Sequence, residues 1–508
     1  MSTPIRMRTA AVVIAASVLL SRLLGLGREA LIAALFGRGV QADLYNQAFL
    51  VPDILNYLLA GAYLSITLVP ILSRHLESGD AKGASQAFTS VFRFVSLLIV
   101  GMTLLMWLFA GTIVELAFPE ASDPERLVSM TRLVLPAQVF LVSGALLMAV
   151  QYTHKRFIIP ALAPLVYNLG IIVGGLAGWA TGDPAPETFL IGAVAGAAIG
   201  NFGIQWFGAR RTGTWITRTE RQSAVGEYLT LAIPLMIGQS VAVLDEQFIK
   251  LFGQVEVGAT AALNYARRLN MVPVGIIAQA AGVAAFPFLA GLYARGAGDE
   301  LIETTGRAAR KTIFVAAAAT AGLVVLARPL VRLVYQYGAF SEADADLVAT
   351  LLAIYAFSIP AWGLHQILAR HFYAKRKMWT PVIVGTVFTV VAIPVWLGLY
   401  QVMGVEGLAL ASTLIMICYA LGLLVAWGYD SGWRPVRALV PAFLRSMLSA
   451  AAAAVLGWLV AHAMIGDDPV TLPSALGVSL VAGVTTLAAF LGVSRLLRSP
   501  EMAEVLRR

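Results

Sequence analysis

What most constrains this chain is the regular return of apolar stretches of about 20 residues or more, each long enough to cross a hydrocarbon core of roughly 30 Å. They fall at 9–36, 42–72, 85–117, 127–153, 157–180, 186–209, 224–251, 258–292, 308–336, 344–373, 379–402, 405–429, 436–464 and 471–496, with short polar breaks between them. Lipid offers no hydrogen-bond partner to a peptide group, so such segments fold as helices that satisfy their own backbone. The expected fold class is an all-α polytopic membrane protein with about fourteen transmembrane helices. Composition agrees: 59% of the 508 residues are hydrophobic and 13% charged, and the mean hydropathy of +0.80 lies outside the range of soluble domains.

The breaks carry charge in alternation. One set holds Arg6/Arg8, Arg74/Lys82, Lys155/Arg156, Arg210/Arg211/Arg218/Arg221, Arg295/Arg307/Arg310/Lys311, Lys375/Arg376/Lys377, Arg434/Arg437 and Arg495/Arg498/Arg507/Arg508. The intervening set, at 119–123, 182–187, 253–256, 341–346 and 466–469, is mostly acidic. Lys and Arg collect in cytoplasmic loops, so both termini are expected on the cytoplasmic side, in a multi-pass arrangement. This distribution accounts for the net charge of +8 without nucleic acid. Arg6 and Arg8 ahead of Ala10 to Leu20 resemble a secretory signal, but the apolar run continues through Arg22 to Phe36 with no small-residue cleavage site; it reads as a retained first helix. The single cysteine, Cys418, excludes an intrachain disulfide framework, and the five histidines have no metal-ligand spacing.

The chain repeats itself at about 220 residues. Val51-Pro52 recurs as Val272-Pro273, Val69-Pro70 as Phe286-Pro287, and Tyr152-Thr-His-Lys155-Arg156 as Phe372-Tyr-Ala-Lys375-Arg376. Six helices per half is an even number, so the copies share one orientation. The expected domains are an N-lobe at 1–220, a C-lobe at 221–432 and a helix pair at 433–508, with 209–221 as the interlobe linker. Gly170, Gly174 and Gly178, and again Gly192, Gly196 and Gly200, recur every fourth residue, the spacing that lets two helices approach closely.

Charge inside the apolar runs points to chemistry. Arg22, Arg28 and Glu29 lie in helix 1, Asp43 and Asp53 in helix 2, Asp245, Glu246 and Lys250 in helix 7, and Arg267 and Arg268 in helix 8. A cation near the bilayer centre costs roughly 2.5–3.5 kcal/mol even on lenient scales, so such residues face a wet cavity or a bound anion. Arg22 and Arg28 are separated by about 9 Å along the helix and about 120° around it, which puts them at two depths of one broad cavity. Arginine suits phosphate because its planar fork stays charged and bonds bidentately. The competing reading is structural: Arg28 with Glu29, and Arg267 with Asp245, neutralise each other, Asp43 sits at the outer interface, and Lys250 snorkels. Asp245 is a candidate ligand for a coupling ion, with a structural ion pair as the alternative. Pro52 and Pro273, near Gly61 and Gly275, are matched helix bends and candidate hinges. No P-loop is present, so transport energy would come from an ion gradient, the membrane potential or consumption of product. Nothing marks the chain as an enzyme.

Several ordered motifs resemble the MurJ/MviN family, the lipid II flippases of the multidrug/oligosaccharidyl-lipid/polysaccharide exporter superfamily. They are Ser21-Arg22-Leu-Leu-Gly25-Leu-Gly-Arg28-Glu29, Phe36-Gly37 with Asp43, Ala48-Phe-Leu-Val-Pro52, Val69-Pro70, Arg156-Phe-Ile-Ile-Pro160 with Asn168, Tyr265-Ala-Arg-Arg268, Tyr335-Gln-Tyr-Gly-Ala-Phe340 and Phe372-Tyr-Ala with Thr380-Pro381. The resemblance implies two lobes in a V around a central cationic cavity, and a groove for the polyprenyl tail on helices 13 and 14. It implies a diphosphate and headgroup site at Arg22, Arg28 and Arg268, with Arg267 beside it, and Glu29 and Asp43 as gating or charge partners. Asp245 matches an aspartate linked in some members to sodium. Helix 8 departs from the family, reading Arg267-Arg268 with Met271 where Asp-Arg and an acid one turn later are usual; helix 11 offers Thr386 and Thr389 where an asparagine is expected. The expected partners are lipid II or a related polyprenyl-diphosphate lipid, the bilayer and cell-wall synthesis proteins. No cofactor is expected beyond a monovalent cation, Na+ or H+, and no metal. A flippase for another lipid-linked glycan, a drug/cation antiporter of the same superfamily and a non-transporting scaffold are the rival readings.

Overall fold

The computed structural model describes residues 7–59, 64–218, 223–237, 241–278, 284–465 and 471–506. Arg6, Gly61, Arg221, the acidic loop at 466–469, Arg507 and Arg508 lie outside the described residues. Among the described residues the chain is helical with no β-strand, and it forms two compact units, Met1–Gln239 and Ser240–Arg508.

The first unit begins with α1 (Met7–Phe36). The expected span at 42–72 is interrupted: α2 (Val40–Gln47) and α3 (Leu50–Leu58) are separated by a turn at Ala48 and Phe49, and α4 runs Leu64–Glu77. Pro52 therefore stands in the first turn of α3 rather than inside a long helix. A proline's missing N–H costs nothing there, because first-turn amides have no intrahelical acceptor. Helices α5 (Ala81–Leu108), α6 (Ala110–Ala117), α7 (Pro124–Val134), α8 (Ala137–Thr153) and α9 (Ile158–Ala180) follow. Then α10 (Pro186–Gly196) passes through a π-helical turn at Ala197–Gly203 into α11 (Ile204–Arg210).

The glycine stripes do what their spacing predicts. A Cβ on Gly174 would lie 2.3 Å from the Thr188 carbonyl oxygen, and one on Gly192 2.3 Å from that of Gly170, so α9 and α10 pack backbone to backbone. The last helix of the unit, α12 (Ser223–Ile237), packs on α4 and α5, and Glu227 pairs with Arg74 of α4. The first unit thus extends past residue 220, where the sequence repeat places the end of the N-lobe, because the polar and apolar partners of 223–237 lie on α4 and α5.

The second unit contains α13 (Val241–Phe252), α14 (Ala259–Ala278), α15 (Ala284–Ala294) and α16 (Gly298–Val334). Helices α17 (Glu342–Ala356) and α18 (Ile359–Ala374) are together long and apolar enough to cross a membrane and meet at a bend of 40°. The bend has a local cause: Pro360 cannot donate to the preceding turn, and Ser358 caps the gap by donating to the Tyr355 carbonyl at 2.6 Å. The 53-residue α19 (Trp379–Ser431) is broken at Gly404, whose φ of 62° and ψ of −137° only glycine adopts readily. That break falls between the spans expected at 379–402 and 405–429. Helices α20 (Trp433–Ile465) and α21 (Leu472–Leu496) pack together on α16, and α22 (Pro500–Leu506) closes the chain.

Among the described residues eight segments are long and apolar enough to cross a membrane, or nine with the bent pair. The expected spans at 42–72, 224–251 and 258–292 each reach residues outside the described set. Leu97, Leu104, Val173, Val390, Leu480 and Val484 project outward from these segments, as side chains facing lipid do. The 220-residue repeat also appears in the backbone. Lys155 and Arg376, 221 residues apart, are both left-handed residues at a helix end. In each, the next amide closes back on the helix: Arg156 N–H to Gln151 at 2.9 Å, Lys377 N–H to Phe372 at 2.8 Å. The same ending occurs at Arg498, where the Ser499 N–H closes on Ser494 at 2.9 Å, so it is a general helix-ending geometry; what agrees with duplication is its placement at Lys155 and Arg376, matched positions of the repeat.

Candidate functional site

In the first unit, α1 packs on α9, with Ser17 donating to the Ala161 carbonyl. This contact turns Arg28 and Glu29 inward. The Arg28 Nη2 donates to Glu29 Oε1 at 2.5 Å and Nη1 to Asn168 Oδ1 at 3.4 Å. Asn168 is itself fixed by donating to the Pro164 carbonyl at 2.9 Å and the Ser21 hydroxyl at 3.3 Å. The Arg28 side chain is 12% exposed and that of Glu29 2%, while Arg22 is exposed, as a rotation of about 120° between them requires. The Arg28 Nε–H has no acceptor among the described residues. Asp43 is buried in the first turn of α2. Asn168 enters the site as a positioning group for Arg28; its place in the Pro160–Asn168 motif was the only sequence signal for it.

In the second unit, α13 supplies Asp245 and Glu246, and α14 supplies Arg267 and Arg268. Arg267 is 8% exposed and lies between the two acids, Nε to Asp245 Oδ2 at 3.4 Å and Nη1 to Glu246 Oε2 at 2.9 Å. Arg268 is 39% exposed, with Nη2 3.7 Å from Glu246 Oε1. Asn270, Tyr355, Ser358, Trp362 and Ser412 line the same pocket as Asp245 and Arg267, and Asn270 donates to Ser358 Oγ at 3.3 Å. The α17–α18 bend presents Tyr355, Ser358 and Trp362 to it. These neighbours are not in the charge pattern; Ser358-Ile-Pro360 inside an apolar run was the available signal. Lys250, expected to snorkel, is buried instead and donates to Gln247 Oε1 at 3.5 Å. Pro273 lies inside α14, so the two matched prolines occupy different local settings: a helix start and a helix interior.

A third cluster was not anticipated. Asp430 accepts from Lys375 at 2.6 Å and from Lys377, and meets His371 Nε2 at 3.2 Å, tying the end of α18 to the end of α19.

Residues 32–468 match the model of the family described as lipid II flippase MurJ. The chain belongs to that family. The match starts after Arg28, so the arginines of α1 stand on their own geometry. The probable lipid II flippase MurJ of Rhizobium meliloti (strain 1021) is 26% identical over 458 residues, covering 86% of this chain and 85% of that protein. The lipid II flippase MurJ of Burkholderia cenocepacia is 30% identical over 384 residues, 72% of each chain. Among solved structures, a lipid II flippase MurJ in an inward closed conformation superposes with a TM-score of 0.76 at 21% identity, covering 98% of this chain and 100% of that one. An inward-facing multidrug resistance MATE family transporter gives 0.68 at 15% identity, over 82% and 95%. The fold is therefore that of the flippase and is shared with the MATE transporter, and the chain is an integral membrane transporter.

Proposed function

We propose that this chain carries lipid II from the cytoplasmic to the outer leaflet of a bacterial inner membrane by alternating access, with both termini cytoplasmic. Within a family of lipid II flippases, the observation that carries the reading is Arg28: a guanidinium inside an apolar helix, aimed by Glu29 and Asn168, with a buried Nε–H left over. A buried donor without a partner is costly, and an anionic oxygen is the acceptor that recovers most. Arg22 and Arg268, both more exposed, are the further cations assigned to the diphosphate. Glu29 holds the guanidinium between substrates, and Asp43 is a second acid near the start of the same unit. The polyprenyl tail remains in lipid along α20 and α21. Pro52 and Pro273 are assigned to the moving elements.

The test is growth of a bacterium depleted of its own lipid II flippase, comparing wild type with Arg28→Ala at matched membrane expression. Rescue by wild type and loss of rescue by Arg28→Ala is the expected result. Equal rescue by both would overturn the role of Arg28, and rescue by neither from folded protein would point to another lipid-linked glycan.

A further inference from the structure

We propose that Arg267 is a tethered counter-cation, supplying from within the fold the positive charge that Asp245 and Glu246 need, so that the second unit binds no sodium or potassium ion between α13 and α14. Two successive carboxylates at membrane depth require compensation, and where none is built in they take it from a bound cation or a proton. Here it is built in. The Arg267 guanidinium lies between the acids, with Nε 3.4 Å from Asp245 Oδ2 and Nη1 2.9 Å from Glu246 Oε2. One planar fork with donors on two edges can serve two acids at once, which an ammonium cannot do in fixed geometry.

Charge balance points the same way. Arg268 adds a second guanidinium 3.7 Å from Glu246 Oε1 and the buried Lys250 ammonium also acts on Glu246, so the two acids already face three cations. The rest of the pocket around Asp245 and Arg267 is neutral, with Asn270, Tyr355, Ser358 and Ser412 offering dipoles and no further carboxylate. An alkali ion approaching Asp245 would meet the like charge of Arg267 against the same carboxylate. Arg267 is therefore a positioning residue, and of the two neighbouring arginines Arg268, with a partly exposed side chain, is the more accessible to substrate. The consequence for energetics, that sodium does not drive the cycle from this place, rests on the transporter reading; the charge assignment does not.

The experiment uses the purified full-length chain in detergent and no lipid II, so failure to transport leaves it decisive. Thermal unfolding and equilibrium binding of radioactive sodium are measured in sodium, potassium or choline chloride at one ionic strength, for wild type, Arg267→Lys, Arg267→Gln, Asp245→Asn and the Asp245→Asn/Arg267→Gln pair. Wild type is expected to unfold at the same temperature in all three salts and to bind no sodium saturably. Arg267→Gln is expected to be less stable in choline than wild type and to recover when Asp245→Asn is added or sodium is supplied. Saturable sodium binding by wild type that Asp245→Asn abolishes would overturn the proposal. So would an Arg267→Gln variant as stable in choline as wild type. Should Arg267→Gln not fold, wild-type and Arg267→Lys binding decide alone.

Discussion

Arg28 and Glu29 are sequence neighbours whose side chains still meet, because burial against α9 leaves each as the other's best partner. Removing one member of a buried ion pair leaves an uncompensated charge and costs about 3–5 kcal/mol. Glu29→Ala should therefore lower the thermal midpoint of the purified protein clearly, and Arg28→Ala/Glu29→Ala should recover part of that loss. Equal midpoints for the single variant and wild type would show that the pair contributes nothing. Arg28→Lys keeps the charge but cannot reach Glu29 and Asn168 with one planar group, so it should rescue growth of flippase-depleted cells less well than wild type. The charge of these residues was readable in the sequence, since an arginine in an apolar run stands out. Their pairing was one of two open readings: whether Arg267 faces a substrate or Asp245 and Glu246 depends on the rotation of α13 against α14, which a one-dimensional pattern does not hold.

At the level of elements, the α9–α10 contact has no room for a side chain. Gly174→Leu places its Cβ within 2.3 Å of the Thr188 carbonyl oxygen, and overpacking of this kind costs about 1–3 kcal/mol. Its midpoint should fall below wild type while Gly101→Leu, whose Cβ meets nothing within 4 Å, should not. At the other end of the chain, Glu501 of α22 is buried, which pushes its carboxyl up, but donation from Ser499 at 2.6 Å and from Arg445 of α20 at 2.7 Å pulls it further down, to a net value below the ordinary glutamate range. A carboxylate with a depressed folded-state value stabilises fully above its unfolded pKa, about 4.3, and loses that contribution as pH falls through the folded one. The protection of the α22 amides, relative to their intrinsic exchange rate at each pH, should fall on acidification below that value, and Glu501→Gln should remove the dependence. Helix boundaries such as Leu472 to Leu496 were legible because charge marks the edges of a span. The break at Phe49 follows a polar stretch, Asp43 with Asn46-Gln47, that lies inside the single span expected over 42–72; the break at Ser358 lies inside an apolar run.

For the whole molecule, duplication was visible in sequence as recurring dipeptides and reappears as the left-handed ends at Lys155 and Arg376. The division of the chain was less legible: what assigns 223–237 to the first unit is contact with α4 and α5, not composition. Charge alternation predicts sidedness. In a background lacking Cys418, Ser122→Cys should react with an impermeant maleimide in intact spheroplasts, and Ser78→Cys only after permeabilisation. The reverse pattern would invert the proposed topology. The central claim is tested most directly in proteoliposomes holding lipid II with a fluorescent headgroup, by the fraction that an impermeant reductant can bleach. Wild type is predicted to bring inner-leaflet lipid II within reach of the reductant, while Arg28→Ala leaves it as protected as in protein-free vesicles. Protection by folded wild-type protein equal to that of empty vesicles would contradict the account.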